Sequence, residues 1–366
     1  MRVISFEAEH FRNLQSIRVE PCDGINIICG ENGQGKTNLL EGIGLMNGAR
    51  SFRRARSEQL IRQGQDFAKL SMAFFSEDRE QEAKIVITKE KKEAVINGVK
   101  QQAASSLIGK FCTVVFSPDT MALISGGESE RRRFLDGAIS QIFPRFVFTA
   151  VEFNRLLAHR NALLKKCGEN HALTATLDAW DERLARSGAE LSRQRREYVE
   201  RLRPLAAKTY EGISSSREPL HINFVCEYAK EEESDKYQSY YLSKLTQMRG
   251  SDIRVGFTQS GPHRDELAIE INGRNARAYG SQGQKRSAVL ALKLAEAELL
   301  GGSVGGTPVA LLDDVMSELD AGRQEYLLNR LGGWQVFITC CDPSPLRLMD
   351  KGKVFGIENG ELRVEN

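Results

Sequence analysis

The run Gly30-Glu31-Asn32-Gly33-Gln34-Gly35-Lys36-Thr37 fits the phosphate-binding pattern Gly-x4-Gly-Lys-Ser/Thr without a mismatch. It constrains the fold because the pattern works only where a strand hands over to a helix. Ile25-Asn26-Ile27-Ile28-Cys29 before it reads as a short buried strand, and Asn38-Leu39-Leu40-Glu41-Gly42-Ile43 after it opens a helical pattern. The glycines let consecutive backbone N–H groups turn toward one anion, and the helix N-terminus adds partial positive charge. Lys36 is expected against the β/γ-phosphates of ATP and the Thr37 hydroxyl on Mg²⁺.

Such a loop needs a carboxylate at a neighbouring strand end. Val309-Ala310-Leu311-Leu312-Asp313-Asp314 supplies one, as four apolar residues followed by two acids. Buried strands rarely end so, because unpaired buried carboxylates are costly. Asp313 is the candidate metal ligand and Asp314 the candidate catalytic acid that orients and polarises the attacking water.

Bulk properties exclude several classes. At 366 residues the chain holds two domains or one large core with an insertion, and 41% apolar and 27% charged residues are ordinary for a soluble protein. A formal charge of +2 leaves nucleic-acid affinity to local patches. The seven cysteines show no Cys-x2-Cys spacing and read as free thiols in a reducing cytoplasm. No apolar run reaches the ~18 residues of a membrane span, so the expected location is cytoplasmic.

Residues 1–29 read as strands with a turn at Arg12-Asn13; strands return at 68–75 and 82–88. Asn97-Gly98 marks a tight hairpin, and Phe111–Phe116 is a buried strand closed by Ser117-Pro118-Asp119. From about 119 to 212 helical spacing takes over, with Pro204 as the main break. Strands resume at 221–226, 255–258 and 265–273, with an acidic turn at Glu231-Glu232-Glu233 and a polar helix over 235–249 between them. The remainder alternates: helix 284–300 ended by Gly301-Gly302, strand 308–313, helix 320–331, strand 335–339, and a hairpin at Asn359-Gly360.

Compact kinases and GTPases close their site within one short α/β unit, whereas most of the chain, 277 of its 366 positions, separates Lys36 from Asp313. That spacing matches ABC-type ATPase heads. The third element of that class is here as Ser281-Gln282-Gly283-Gln284, which on its own also reads as an ordinary capping box. Ser317-Glu318-Leu319-Asp320 stands where the class places its dimer-contact loop. The expected fold is α/β: an ABC-type ATPase head (a P-loop NTPase) over 1–116 and 213–366, with an inserted helical lobe over 117–212.

These motifs, with Phe11-Arg12-Asn13, Gly48–Arg53, Phe116–Asp119, Glu130–Asp136 and Gly261-Pro262-His263-Arg264-Asp265, resemble the RecF family of bacterial recombination-repair ATPases. The resemblance covers essentially the whole chain. It implies ATP and duplex-DNA binding, a homodimer formed on ATP, slow hydrolysis, and action at single-strand gaps with RecO and RecR to load RecA. It puts Ser281–Gln284 of one subunit on the γ-phosphate held by Lys36 of the other, and makes Arg12 a candidate phosphate contact. Another SMC-like ATP-gated DNA-binding ATPase is the alternative reading. Two departures from the wider ABC pattern fit slow turnover: Asp314 replaces the usual glutamate, and Ile338-Thr339-Cys340-Cys341 stands where a switch histidine is common.

No zinc finger, helix-turn-helix or stacking platform is visible, so DNA contact is expected through phosphates. The candidates are Arg50, Arg53, Arg54 and Arg56, and on the helical lobe Arg193, Arg195, Arg196 and Arg203.

Overall fold

A computed structural model describes residues 1–214, 218–227, 234–341 and 352–365. The chain divides into two compact units, Met1–Met121 with Lys208–Arg217 and Arg286–Asn366, and Ala122–Ala207 with Glu218–Lys285. The acidic turn Glu231-Glu232-Glu233 lies outside the described residues.

In chain order, β1 (Arg2–Phe11), β2 (Leu14–Val19) and β3 (Ile25–Cys29) lead through the glycine loop into α1 (Lys36–Leu45). After α2 (Ser57–Leu60) come β4 (Phe67–Ser76), β5 (Arg79–Thr88), β6 (Lys92–Ile96), β7 (Val99–Lys100) and β8 (Thr113–Phe116). Four helices follow, α3 (Ala122–Ser125), α4 (Glu128–Ile142), α5 (Phe146–Glu169) and α6 (Leu177–Ser214). Then come β9 (Leu220–Val225), α7 (Ser234–Val255), β10 (Glu266–Ile271), β11 (Arg274–Asn275) and α8 (Ala276–Tyr279). The chain closes with α9 (Gln282–Val304), β12 (Val309–Leu312), α10 (Ala321–Arg330), β13 (Val336–Cys340), β14 (Gly352–Glu358) and β15 (Glu361–Glu365).

In the first unit one sheet is an antiparallel meander in the order β2-β1-β4-β5-β6-β7. The other runs β15-β14-β3-β13-β12-β8, with every neighbouring pair parallel except the β14–β15 hairpin. The patterning explains the split. β4 alternates buried with half-exposed residues, as a one-sided sheet requires, whereas all four residues of β12 are buried, as in a sheet covered on both faces. Leu39, Leu40 and Ile43 of α1 share one core with Phe6 and Phe11 of β1 and with Leu311 and Phe337. Each fully buried side chain of this size stabilises the fold by about 1.5–3 kcal/mol. The hairpin turns at Asn97-Gly98 and Asn359-Gly360 hold both residues at positive φ, the twist that matches the flanking strands.

The second unit carries the long helices and a three-stranded sheet, β11-β10-β9. Arg160 of α5 donates to Asp181 of α6 at 2.6 Å and to Asp252 of α7 at 2.7 Å, with all three side chains fully buried. Arg195 of α6 reaches Asp136 of α4 at 2.8 Å and Asp265 at 3.2 Å. These pairs explain why Glu218–Lys285, placed in the head by the sequence boundary at 212, groups with the helices instead.

Three local expectations are corrected. α6 runs through Pro204 without ending. Burial of Val199, Leu202, Ala206 and Tyr210 offsets the roughly 3 kcal/mol that an interior proline costs. Residues 255–258 form no strand: α7 extends to Val255 and stops at Gly256, whose φ of 76° suits a left-handed helix end. α9 continues past Gly301-Gly302 to Val304.

Candidate nucleotide site

The site grows from three neighbouring strand ends. β3 lies beside β13, and β13 beside β12, all parallel. The glycine loop after β3 and the acids after β12 therefore flank the end of β13. Gly30, Gly33 and Gly35 adopt φ of 152°, 82° and 119°. A Cβ on Gly30 would lie 2.3 Å from the Ile357 carbonyl oxygen, so glycine is required there for close packing as well as for conformation. Lys36 sits in the mouth of the loop, its Nζ donating to the carbonyls of Gly30 and, at 3.0 Å, Glu31, and 3.5 Å from Cys341 Sγ.

Thr37 Oγ1 donates to Asp313 Oδ1 at 2.8 Å. This places a hydroxyl and a carboxylate side by side, a donor set that suits Mg²⁺, which binds through hard oxygens and keeps most of its shell for water and phosphate. Burial pushes the Asp313 carboxyl above the usual carboxylate range, against hydrogen bonds from Thr37 and Thr339 and the charge of Arg53. Asp314 is exposed and holds φ 52°, a conformation uncommon for a residue with a Cβ. Ser317 Oγ lies 3.0 Å from its Oδ1 and 2.8 Å from its carbonyl oxygen.

The loop is braced by contacts that the sequence did not reveal. Asn13, on the β1–β2 turn, donates through Nδ2 to the carbonyls of Gly33 and Gln34, and its Oδ1 accepts from Asn38 at 2.7 Å. The N–H of Gly360 in the last hairpin donates to the Gln34 carbonyl at 3.0 Å. Glu41 of α1 is fully buried and accepts from Arg12 Nε and Nη2, both at 2.9 Å, and from Ser51 Oγ. The guanidinium of Arg12, the candidate phosphate contact, forks onto Glu41, a geometry fixed by two parallel hydrogen bonds. A charge inside an otherwise apolar helix pattern was the signal for Glu41, since a buried carboxylate demands a partner.

Ser281–Gln284 belong to the second unit, whereas Lys36, Thr37, Asp313 and Asp314 belong to the first. The capping box is formed: the Ser281 N–H donates to Gln284 Oε1 at 2.7 Å, and the Gln284 N–H to Ser281 Oγ at 3.2 Å. Gln282 and Gly283 make the first turn of α9. In the candidate dimer loop, Glu318 lies 4.0 Å from Arg286, and Leu319 precedes Asp320, which caps α10 by accepting from the Arg323 N–H.

The two arginine groups differ. Arg50, Arg53, Arg54 and Arg56 are exposed, although Arg53 also donates to Asn38 Oδ1 at 3.0 Å. On α6, Arg195 is only 4% exposed and committed to Asp136 and Asp265, so its reading as a DNA contact is withdrawn. Arg193 is paired with Glu190 and Glu197. Arg196 lies over the Phe224 and Tyr237 rings, and Arg203 is held by Glu200 and the Ile222 carbonyl.

A strand–glycine loop–helix unit with a distant acidic strand brought against it defines an ABC-type P-loop ATPase head. A structure described as the SmcHead bound to the C-winged helix domain of ScpA shares this fold, with TM-score 0.58 and 16% identity over 100% of this chain and 97% of that one. The family model "RecF/RecN/SMC N terminal domain" matches residues 2–363. "DNA replication and repair protein RecF" of Thermoanaerobacter pseudethanolicus is 38% identical over 368 residues, covering 100% of both chains. Its counterpart in Clostridium tetani is 34% identical over 361 residues, covering 98% of both. A solved "recombination mediator protein RecF-ATPrS in RecFOR pathway" superposes with TM-score 0.93 at 36% identity, over 100% of this chain and 98% of that one. The chain belongs to the RecF family. Among the described residues no helix is long and apolar enough to cross a membrane.

Proposed function

We propose that the protein is an ATP-gated DNA-binding ATPase of recombinational repair, acting in the cytoplasm. The carrying observation is the 2.8 Å pairing of Thr37 with Asp313 beside a loop whose glycines all adopt positive φ. In this reading Gly30–Thr37 hold the phosphates of ATP, and Thr37 and Asp313 hold Mg²⁺. Mg²⁺, when bound, neutralises phosphate charge and favours displacement at the γ-phosphorus. Asp314 orients the water, its exposed carboxylate steadied by Ser317. Ser281–Gln284 serve a second copy of the chain: a hydroxyl and backbone N–H groups at the start of a long helix complement an anion. ATP is then part of a homodimer joint, binding assembles it, and slow hydrolysis releases it.

Duplex DNA and the ss/ds junction at a gap are the proposed targets, engaged through phosphates by the exposed arginines between residues 50 and 56. RecR is the proposed partner, with RecO and RecA downstream; the support is family membership and a 36%-identical relative described as a recombination mediator in the RecFOR pathway. The test is retention of a duplex with a single-strand gap by wild type and Lys36→Met, with ATP, with ADP and without nucleotide. ATP-stimulated retention by wild type alone is expected; equal retention in all six conditions contradicts the reading.

A further inference from the structure

We infer that Thr339 is the positioning residue of this site, the hydroxyl that sets the metal-binding acid and the water-orienting acid relative to each other. The inference rests on the reading of Asp313 and Asp314 given above.

Thr339 stands on β13, the strand between the glycine-loop strand and the acidic strand. It pairs with Ile28 on one side, and Ile338 pairs with Leu312 on the other, so the Thr339 level is where the first acid leaves β12. Its side chain is 1% exposed. Its Oγ1 lies 3.0 Å from Asp313 Oδ1 and 2.9 Å from the backbone nitrogen of Asp314. A hydroxyl has one proton, and an N–H can only donate. Thr339 therefore accepts from Asp314 N–H and donates to Asp313, and both lengths are ordinary for hydrogen bonds.

Two consequences follow for the acids. Asp313 Oδ1 accepts from both Thr37 and Thr339, which fixes the carboxylate plane and leaves Oδ2 as the oxygen for a hard cation. The second bond anchors the backbone of Asp314 at φ 52°, a conformation that costs free energy unless its surroundings hold it. Thr339 thus couples the orientation of one acid to the backbone of the next without touching substrate. Serine retains the hydroxyl; valine retains the shape and β-branching suited to a buried strand but can neither accept nor donate.

The experiment compares wild type, Thr339→Val and Thr339→Ser in the full-length protein, with folding checked by thermal unfolding. Mn²⁺ affinity in the presence of a non-hydrolysable ATP analogue is read by electron paramagnetic resonance, alongside kcat and KM for ATP. Thr339→Val is expected to weaken Mn²⁺ affinity and kcat by about tenfold or more, with KM for the metal–nucleotide complex rising in step with the lost metal affinity and metal-free nucleotide binding unchanged. Thr339→Ser is expected to stay within about threefold of wild type on every measure. Wild-type behaviour of the valine variant overturns the inference and leaves the ATPase reading standing. A serine variant impaired by about tenfold or more overturns it too, and that outcome can be read even if the valine variant does not fold. Absence of metal-dependent nucleotide binding in wild type itself overturns both readings.

Discussion

Thr37 and Asp313 stand 276 residues apart in sequence, and the hydroxyl of the first donates to the carboxylate of the second at 2.8 Å. The parallel order β3-β13-β12 makes this contact, since it brings the ends of two distant strands to either side of one intervening strand.

Replacing Asp313 with Asn separates stability from activity. Burial holds the Asp313 carboxyl above its normal range, so at neutral pH its ionised form costs folding free energy. Asp313→Asn is expected to unfold at the same temperature as wild type or higher. ATP hydrolysis should fall roughly a hundredfold or more, since a metal ligand is worth several kcal/mol to the transition state. Thermal unfolding without nucleotide and steady-state hydrolysis check the two halves.

Glu41→Ala removes one partner of a buried ion pair and strands Arg12. The expected loss is about 3 kcal/mol, the low end of the range for such breaks because Arg12 is 17% exposed. Glu41→Gln should lose less, since its amide oxygen still accepts. Urea unfolding of both variants measures this, and a Glu41→Gln variant as stable as wild type beside a destabilised Glu41→Ala would show that packing rather than the ion pair matters.

How much of this was legible beforehand differs by feature. The glycine loop, the acidic strand end and the Asn-Gly turns were readable because each depends on residue types within a few positions. The pairing of Arg12 with Glu41, and the burial of Arg195 that ends its reading as a DNA contact, escaped the sequence for one shared reason. An arginine in a linear string looks alike whether it faces solvent or a buried carboxylate, and Glu41, Asp136 and Asp265 become their partners only through tertiary packing. Thr339 looked like a mere absence of the switch histidine; only strand order shows what its hydroxyl spans.

His263 gives a pH dependence whose sign can be worked out. Burial, with Arg264 and Arg132 adding, pushes its imidazole down to about 4, against the Thr258 carbonyl hydrogen bond and Asp252. A histidine depressed on folding leaves the unfolded chain holding more protons, so its stabilisation is complete above about pH 6.5 and is lost as pH falls toward 4. Asp265, pushed up to about 6 chiefly by burial, runs the opposite way over part of that range. The informative quantity is therefore the difference between wild type and His263→Gln. That difference should shrink or reverse by roughly 2–3 kcal/mol between pH 7 and pH 4, read by urea unfolding at each pH. A constant difference contradicts the assignment.

Charge reversal of Arg50, Arg54 and Arg56 spares the Arg53–Asn38 bond. It is expected to weaken duplex binding and to flatten the plot of log K against log salt by about 0.9 for each DNA phosphate that is no longer neutralised. Arg193→Glu, on a side chain already paired with Glu190 and Glu197, should leave the slope unchanged. Salt titrations of duplex affinity decide between the two clusters.

The central claim is that ATP forms part of the joint between two copies of this chain. Sedimentation of wild type, Lys36→Met and Ser281→Arg with ATP, with ADP and without nucleotide tests it most directly. Dimers are expected for wild type with ATP alone and for neither variant. Monomers of wild type in every condition, or dimers that ignore both substitutions, would contradict it.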